Sequence, residues 1–223
     1  STRTASIAAI DSVAIEWIVI AGMIVGSLPF AHYLAIVRGG WKPLLQDPQV
    51  RWFMALLASA VVVLIWYLSS DGMPVSVAIR QASFNAVSIM TGTGYGSANF
   101  SAWGGFASTL LLIAMFIGGC GGSTTCGIKV FRLQVLATTA RVQIGRLLRP
   151  HAVILAYYNR RPVANEVMDS VMGFFYLYIL CFVVLAILLG ALGLDFITAL
   201  SGAATSISNV GPGLGNLIGE EGN

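Results

Sequence analysis

The sequence predicts an all-α integral membrane protein built from repeats of a spanning helix, a shorter half-helix and a glycine-rich loop. Only 9% of the 223 residues are charged and 57% are hydrophobic. Soluble domains usually carry about 25% charged residues, so this chain has too little charge to cover a surface that faces water. Its long uncharged runs point to helices, because a helix satisfies its own backbone hydrogen bonds in lipid.

Four apolar segments are long enough to cross a bilayer as helices, which takes about 20 residues. These segments cover residues 17–37, 52–70, 97–128 and 171–192. None of them contains Asp or Glu, and the third is interrupted by the sequence GGCGGSTTCG at 118–127. We therefore expect four spanning segments, the third of which belongs to a broken helix over 97–150.

Two further apolar stretches, residues 74–90 and 195–207, are too short or too polar to span the membrane. Each begins at a helix-start residue, Pro in the first and Asp in the second. Each then runs into a glycine-rich loop, TGTGYG at 91–96 or SNVGPGLG at 208–215. This order predicts two re-entrant half-helices that enter the membrane and return as extended backbone.

The basic residues predict the orientation of these segments. Ten of the 12 Lys and Arg residues lie in two connections, 38–51 and 129–161, and the second contains no acid. Both connections are therefore predicted to be cytoplasmic, and both glycine-rich loops to lie on the outer side. Gly94 and Gly211, one in each loop, are 117 residues apart. Two units of the same orientation can surround one axis perpendicular to the membrane, unlike inverted transporter repeats.

The glycine-rich loops have the composition of an ion filter. The C-terminal end of a half-helix carries partial negative charge, which favours a cation. Glycines let carbonyls point inward, and rings of carbonyl oxygens can replace the hydration shell of potassium. The GTGYG sequence at 92–96 is close to the TVGYG filter of potassium channels; the alternative is an ordinary turn. The candidate filter residues are Gly92, Thr93, Gly94, Tyr95, Asn209, Val210 and Gly211, with K+ placed at Gly92, Thr93, Asn209 and Val210.

A phosphate site is the other possibility that glycine-rich loops raise. Residues 122–127 have the G-x-x-x-x-G spacing, but Ile128 stands where a phosphate-binding loop has its lysine, and no strand is predicted before it. The three cysteines show no C-x-x-C spacing and do not indicate a zinc site or a disulfide framework. We expect no enzymatic activity, no cofactor and no nucleic-acid partner.

Several motifs together resemble the bacterial TrkH/KtrB family of potassium transporters. GGCGGSTTCGIKVFR at 118–132 is similar to the broken helix of that family's third repeat, and 208–215 is similar to its fourth filter loop. The stretch 1–33 resembles the segment after the second filter, so Ser1 and Thr2 would be the tail of that filter. The resemblance covers nearly the whole chain.

This resemblance implies four membrane–pore–membrane repeats around one pseudo-fourfold ion pore. The chain would hold the last span of the second repeat with its linker (1–51), the third repeat (52–161) and part of the fourth (162–223, with its span over 166–192). The remaining filter segments would come from a missing part of the same protein. A homodimer, a cytosolic nucleotide-binding regulatory ring and surrounding lipid are the implied partners, in a multi-pass protein of the bacterial inner membrane.

The resemblance also implies that the interruption is a gate below the filter, the alternative being a kink that permits close packing. The candidate gate residues are Gly118, Gly119, Gly121, Gly122, Ser123, Thr124, Thr125, Gly127 and Lys129. Lys129 either extends to the cytoplasmic interface or adds charge to a barrier. Gly92 and Asn209 depart from potassium channels, which place a threonine hydroxyl there, and the departure implies looser discrimination against sodium.

Other charged residues have simpler interpretations. We expect Arg80 to have a structural role at the pore rim and the 141–161 cluster to fix topology beside anionic lipid or to dock a regulator. His32 and His151 show no metal-ligand spacing and are expected to have packing or interface roles. Two alternatives to a channel or transporter subunit with a filter stay open: a secondary transporter with broken helices, and a non-conducting scaffold. The absence of acids from the predicted spans counts against the secondary transporter.

Overall fold

The computed structural model describes residues 7, 10, 12–149, 155–159 and 161–214, which are mostly helical. The all-α membrane-protein class predicted from the sequence is confirmed. The elements are α1 (Val13–Gly26), α2 (Phe30–Val37), α3 (Lys42–Gln46), α4 (Pro48–Ser70), α5 (Val75–Met90), a 3₁₀ turn (Phe100–Ala102), α6 (Gly105–Phe116), α7 (Val130–Leu148), β1 (Tyr157–Tyr158), β2 (Arg161–Pro162), α8 (Asn165–Ala191) and α9 (Phe196–Ser208).

The segment predicted as a span over 17–37 is not one straight helix, because two helices occupy it. α1 and α2 meet at a bend of 98°. Pro29 lies directly before α2 with φ −66° and ψ 122°, and the chain leaves α1 at Ser27. Proline cannot continue the hydrogen bonding of a preceding helix and disfavours helical geometry in the residue before it. Apolar composition alone therefore does not make this segment one straight helix.

Two helices in the described part of the chain, α4 and α8, are long and apolar enough to cross a membrane individually. The bent α1–α2 pair would be a third span if it is counted as one. α4 begins at a clear cap, since the Asp47 carboxylate accepts a hydrogen bond from the Gln49 amide at 2.7 Å and Pro48 occupies the first turn. In α8, Val171 and Tyr178 are the buried residues of a 27-residue helix, so most of its apolar surface faces outward.

Helices α5 and α9 lie where the two half-helices were predicted, each with a start within one residue of the expected position. That they re-enter the membrane stays a prediction. α5 is buried continuously from Ala82 to Met90. The Asp195 carboxylate caps α9 by accepting a hydrogen bond from the Thr198 amide at 3.2 Å. α5 packs on α4, and α9 packs on α8. Each half-helix is therefore held inside the molecule by the long helix that precedes it.

The two basic connections lie at the same end of the molecule. A polar cavity of about 830 Å³ is lined by His32, Pro43, Gln46, Asp47, Pro48, Arg51 and Asn159. Asn159 belongs to the turn of the β1–β2 hairpin, in the second basic connection, whereas 43–51 is the first. His32 bridges α2 to this region through a contact of 2.6 Å between its Nε2 atom and Asp47 Oδ2.

That both basic connections face the cytoplasm stays a prediction. His151 and Arg160, which belong to the second connection, lie outside the described residues.

Candidate ion pathway

The first glycine-rich loop leaves α5 through a tight backbone turn. The amide of Gly92 donates to the Ile89 carbonyl at 3.1 Å, and that of Thr93 donates to the Ser88 carbonyl at 3.0 Å. Gly92 has φ +65° and Gly94 has φ +73°, the left-handed region that glycine enters without steric cost. The loop therefore needs glycine or a tolerant residue at these two positions.

The second loop repeats this geometry 117 residues later. The Val210 amide donates to the Thr205 carbonyl at 3.1 Å, the counterpart of the bond from Thr93 to Ser88. Asn209 has φ +52° and Gly211 has φ +114°, at the positions that correspond to Gly92 and Gly94. Thr205 adds a bond that the first loop lacks, because its Oγ1 accepts from the Gly211 amide at 2.8 Å. The sequence repeat is thus also a repeat of backbone conformation.

This shared conformation restricts which residues fit at positions 92 and 209. Asn is one of the few residues other than Gly that enter the left-handed region readily, whereas β-branched residues are genuine outliers there. A threonine at Gly92 or Asn209 would therefore be strained. Both loops therefore leave the preceding helices in a conformation that favours glycine or asparagine over threonine.

Polar side chains in the buried half-helices hold the returning ends of the loops. Asn85 Nδ2 donates to Ser97 Oγ at 3.2 Å, and its Oδ1 accepts from the Ser97 amide at 3.3 Å. Ser201 does the same for the second loop, accepting from the Leu214 amide at 2.8 Å and donating to its carbonyl at 3.0 Å. Asn85 and Ser201 were not predicted from the sequence. The signal that could have indicated them is a polar residue within an otherwise apolar helix.

The two loops touch each other at their equivalent glycines. A Cβ on Gly94 would overlap the Val210 carbonyl oxygen and lie 3.1 Å from Pro212 Cδ. A Cβ on Gly211 would lie 3.4 Å from the Cα of Gly94. The sequence-predicted filter residues are therefore together in space, while Gly215, Ser1 and Thr2 lie outside the described residues.

The interruption between α6 and α7 is a compact loop of residues 118–127. Its two ends are joined, because the Gly118 amide donates to Ile128 O at 2.9 Å and the Ile128 amide donates to Phe116 O at 3.0 Å. A Cβ on Gly118 would overlap the Cys126 carbonyl oxygen. The glycines here allow the two ends of the loop to cross with backbone against backbone.

Distant parts of the chain anchor this loop. The Gly121 amide donates to Gln49 Oε1 at the start of α4 at 2.8 Å. The Cys120 amide donates to the Ser27 carbonyl at 3.1 Å, and Thr124 Oγ1 donates to the Gly26 carbonyl at 2.9 Å. Ser27 and Gly26 form the α1–α2 bend, so the loop is docked on the break that sequence analysis missed.

Cys126 of this loop lies against both glycine-rich loops. A Cβ on Gly92 would lie 3.7 Å from the Cys126 amide nitrogen and 3.6 Å from the Asn209 carbonyl oxygen. The Asn209 side-chain amide donates to Cys126 Sγ at 3.5 Å. The interruption of the broken helix therefore borders the candidate filter at the point where each half-helix ends.

An open cleft of about 340 Å³ runs beside these loops. Its lining combines the inner face of α1 with hydroxyl groups of the first glycine-rich loop and of the 118–127 loop: Val19, Gly22, Met23, Gly26, Ser27, Thr91, Thr93, Tyr95, Thr124 and Thr125. Thr91 Oγ1 and Thr93 Oγ1 are 2.8 Å apart. The cleft thus places several hydroxyl groups, within a mostly apolar lining, next to the candidate filter.

Lys129 turns back into the 118–127 loop. Its ammonium group donates to the Ser123 carbonyl at 3.3 Å, to Ser123 Oγ at 3.5 Å, to Thr125 Oγ1 at 3.2 Å and to the Thr125 carbonyl. The side chain of Lys129 is therefore folded back onto the loop and does not extend away from it. The interpretation of its charge as part of a barrier beneath the candidate filter stays a prediction.

A buried acid lies directly before the predicted span 17–37, which itself contains no Asp or Glu. α1 begins at Val13, so Glu16 belongs to it, and Glu16 is buried. Arg80 of α5 pairs with it at 3.5 Å between Nη1 and Oε1. A buried charge requires a partner, so this pair fixes α5 against α1. The structural role expected for Arg80 agrees with this contact.

The fold and the two glycine-rich loops define a class: a helical membrane protein in which two buried helices lead into glycine-rich loops that contact each other. The family model described as TrkH, cation transport protein, matches residues 1–221. The chain belongs to the TrkH family of cation transport proteins.

Similar proteins agree with this assignment. The chain is 42% identical to the Trk system potassium uptake protein TrkI of Halomonas elongata, over 90% of the chain and 41% of that protein. It is 36% identical to the Trk system potassium uptake protein TrkH of Vibrio parahaemolyticus, over 97% of the chain and 46% of that protein. The crystal structure of the potassium transporter TrkH from Vibrio parahaemolyticus superposes with a TM-score of 0.90 at 35% identity, over 96% of this chain and 47% of that one. The chain thus spans less than half the length of these relatives.

Proposed function

We propose that the protein containing this chain takes up potassium across the bacterial inner membrane, with the two glycine-rich loops as part of its selectivity filter. The observation that carries the proposal is the contact of Gly94 with Val210 and Gly211. It brings together two loops that share one left-handed backbone pattern. The carbonyls of Gly92, Thr93, Asn209 and Val210 hold the ion as it loses its water.

The half-helices contribute electrostatically to this site. α5 and α9 both end at the loops, and the partial negative charge of a helix C-terminus stabilises a cation close to it. Two loops cannot enclose an ion completely, so the remaining filter segments come from the rest of the same protein. The potassium uptake proteins to which this chain is similar are about twice as long as the chain.

The 118–127 loop is the gate in this proposal. Its Cys126 contacts Asn209 and the backbone at Gly92, which is consistent with a loop that closes the path on the inner side of the filter. The loop hydrogen bonds to Gln49 and to the α1–α2 bend, so a movement of either element displaces it. A cytosolic nucleotide-binding ring, acting on a homodimer of the protein, is the proposed source of such a movement.

The outer surfaces fit a multi-pass membrane protein that contacts lipid. α8 exposes large apolar residues, including Leu177, Ile187 and Leu192 just beyond its end. The basic residues of α7 belong to a connection that the positive-inside rule places in the cytoplasm. Anionic lipid headgroups and the regulator are the partners proposed for that basic region.

Rubidium uptake into proteoliposomes containing the full-length protein tests the proposed function. We expect uptake that potassium suppresses at lower concentration than sodium does. A secondary transporter would instead show uptake that requires a gradient of a second ion. A non-conducting scaffold would give uptake equal to that of empty liposomes, and either result would contradict the proposal.

A further inference from the structure

The ammonium group of Lys129 occupies a cluster of neutral oxygens in the 118–127 loop. Two of the oxygens are carbonyls and two are hydroxyls, contributed by Ser123 and Thr125. Ser123 Oγ and Thr125 Oγ1 are themselves 2.9 Å apart, and Ser123 Oγ also donates to the Cys120 carbonyl at 2.6 Å. The cluster is thus held together by the loop as well as by the lysine.

These oxygens have the chemistry of a monovalent-cation site. Neutral carbonyl and hydroxyl oxygens replace the water of potassium in ion pathways without the fixed negative charge that favours divalent ions. An ammonium group and a potassium ion are both compact single positive charges, so a cluster that accepts one has the donors to accept the other. The lysine nitrogen stands in for a cation here.

The position of Lys129 at the start of α7 would by itself disfavour a positive charge in this oxygen cluster. Lys129 is the residue directly before α7, and the first turn of α7 contains no acidic residue. The N-terminal end of a helix carries partial positive charge, which disfavours a cation beside it. The oxygens of Ser123 and Thr125 offset this repulsion, so the cluster accounts for where the ammonium group lies.

The cluster also lies between two cavities. Thr125 lines the 340 Å³ cleft beside the first glycine-rich loop. Lys129 lines a second cavity of about 470 Å³, together with Gly121, Arg132 and Glu166. An ion that moves from one cavity to the other would pass the cluster. Glu166 in the second cavity gives the lysine an acidic side chain toward which it can turn when it leaves.

We propose that Ser123 and Thr125 form a monovalent-cation site on the ion path, which Lys129 occupies as a tethered cation when the gate is closed. The inference rests on the proposed function, because it assumes that ions pass this loop. It adds a binding site and states what fills it. Opening then requires the lysine to leave the oxygens, after which a permeating potassium ion takes its place.

Replacing the lysine tests this site directly. Lys129→Met keeps much of the side-chain length but removes the charge, so the four oxygens become available to a free ion. In the full-length protein crystallised with rubidium, we expect anomalous density at the cluster in Lys129→Met and none there in the parent protein. We also expect several-fold higher rubidium uptake without the regulator. Lys42→Met is the matched control, since Lys42 is exposed in α3, and it should change neither measurement.

A second substitution separates a binding site from a simple charge barrier. Adding Ser123→Ala to Lys129→Met removes one ligand, and we expect the rubidium density and part of the extra uptake to be lost. If Lys129→Met raises uptake but shows no rubidium at the cluster, the lysine acts only as a charge barrier and the proposed site is wrong. Unchanged uptake with no density also overturns it.

Two further results distinguish failure of this inference from other failures. If Lys129→Met does not fold, Lys129→Gln, which keeps a hydrogen-bond donor, provides the same comparison. If the parent protein takes up no rubidium, the proposed function fails. Rubidium density at the cluster in Lys129→Met would even then support the cation site, and its absence would overturn it.

Discussion

Gly94 lies so close to Val210 that any side chain at position 94 would overlap the Val210 carbonyl oxygen. The carbonyl carbon of Val210 would lie 3.2 Å from the same Cβ position. Gly94 and Val210 belong to different repeats, so the backbones of the two glycine-rich loops are in direct contact. A glycine at position 94 is therefore required both by its left-handed conformation and by its neighbour.

The equivalence of Gly92 and Asn209 gives the first prediction. Both residues are left-handed, and a Cβ on Gly92 would make only ordinary contacts, the nearest at 3.6 Å. Gly92→Asn should therefore preserve rubidium uptake. Gly92→Thr should reduce it, because a β-branched residue in this conformation costs roughly 1–3 kcal/mol. Equal uptake by both variants would show that the conformation at position 92 is not what excludes threonine.

The hydrogen bond between Gln49 and Gly121 gives a prediction about the gate. Gln49→Ala removes the Oε1 atom that holds the loop at 2.8 Å, and a net loss of about 1 kcal/mol is typical for such a bond. We expect higher uptake without the regulator and a smaller response to it, as also expected for deletion of residues 121–125. Gln46→Ala, at an exposed position on α3, is the control and should behave as the parent.

Unchanged uptake and unchanged regulation in both the Gln49→Ala variant and the deletion would indicate a packing kink. The interpretation of the 118–127 loop as a gate would then be wrong.

The ion pair between Glu16 and Arg80 gives a prediction about stability. Glu16→Gln leaves Arg80 in α5 without its carboxylate partner. Removing one member of a buried pair costs about 3–5 kcal/mol, and we expect about 1–3 here because Arg80 is 27% exposed. Thermal unfolding in detergent measures the loss. The double variant Glu16→Gln/Arg80→Gln should recover much of it, since neither charge is then isolated; a purely additive loss would contradict a direct interaction.

The two ends of α4 give a prediction about topology. This helix of 23 residues is about 35 Å long, at about 1.5 Å per residue, which is enough to cross the hydrocarbon core. In a variant without native cysteines, a cysteine at Gln46 should resist impermeant thiol reagents added outside the cell. A cysteine at the exposed Asp71 should react. The reverse pattern would invert the orientation and place both glycine-rich loops on the inner side.

Local sequence signals predicted the bounds of α5 and α9 well. Proline and aspartate mark the starts of α5 and α9, and glycine or asparagine ends each of them, so both boundaries depend on residues next to them in the chain. The left-handed conformations at Gly92 and Asn209 follow from the same local chemistry. Because the second loop follows the first at a spacing of 117 residues, the role predicted for the first loop could also be predicted for the second.

Features that depend on distant contacts were missed. The α1–α2 bend has a local cause in Pro29, but the apolar run around it concealed the break. The docking of the 118–127 loop on Ser27 and Gln49 joins residues more than 70 positions apart, which no spacing rule detects. Glu16 was missed because it lies one residue before the predicted span, and its contact with Arg80 joins two helices far apart in the sequence.

The central claim is that the contact between the two loops sets ion selectivity, and one pair of glycines tests it most directly. Gly94 and Gly39 both have positive φ, +73° and +94°, but no atom lies within 4 Å of a Cβ on Gly39. Serine therefore carries conformational strain of about 1–2 kcal/mol at both positions, while displacing the other filter loop only at Gly94.

Reversal potentials across bilayers containing the full-length protein give the potassium-to-sodium permeability ratio of each variant. We expect Gly94→Ser to lower this ratio, because a displaced carbonyl weakens dehydrated potassium binding more than it weakens the passage of hydrated sodium. Gly39→Ser should keep the parent ratio. If folded Gly94→Ser protein also keeps the parent ratio, the TGTGYG loop is an ordinary turn and the filter assignment is wrong.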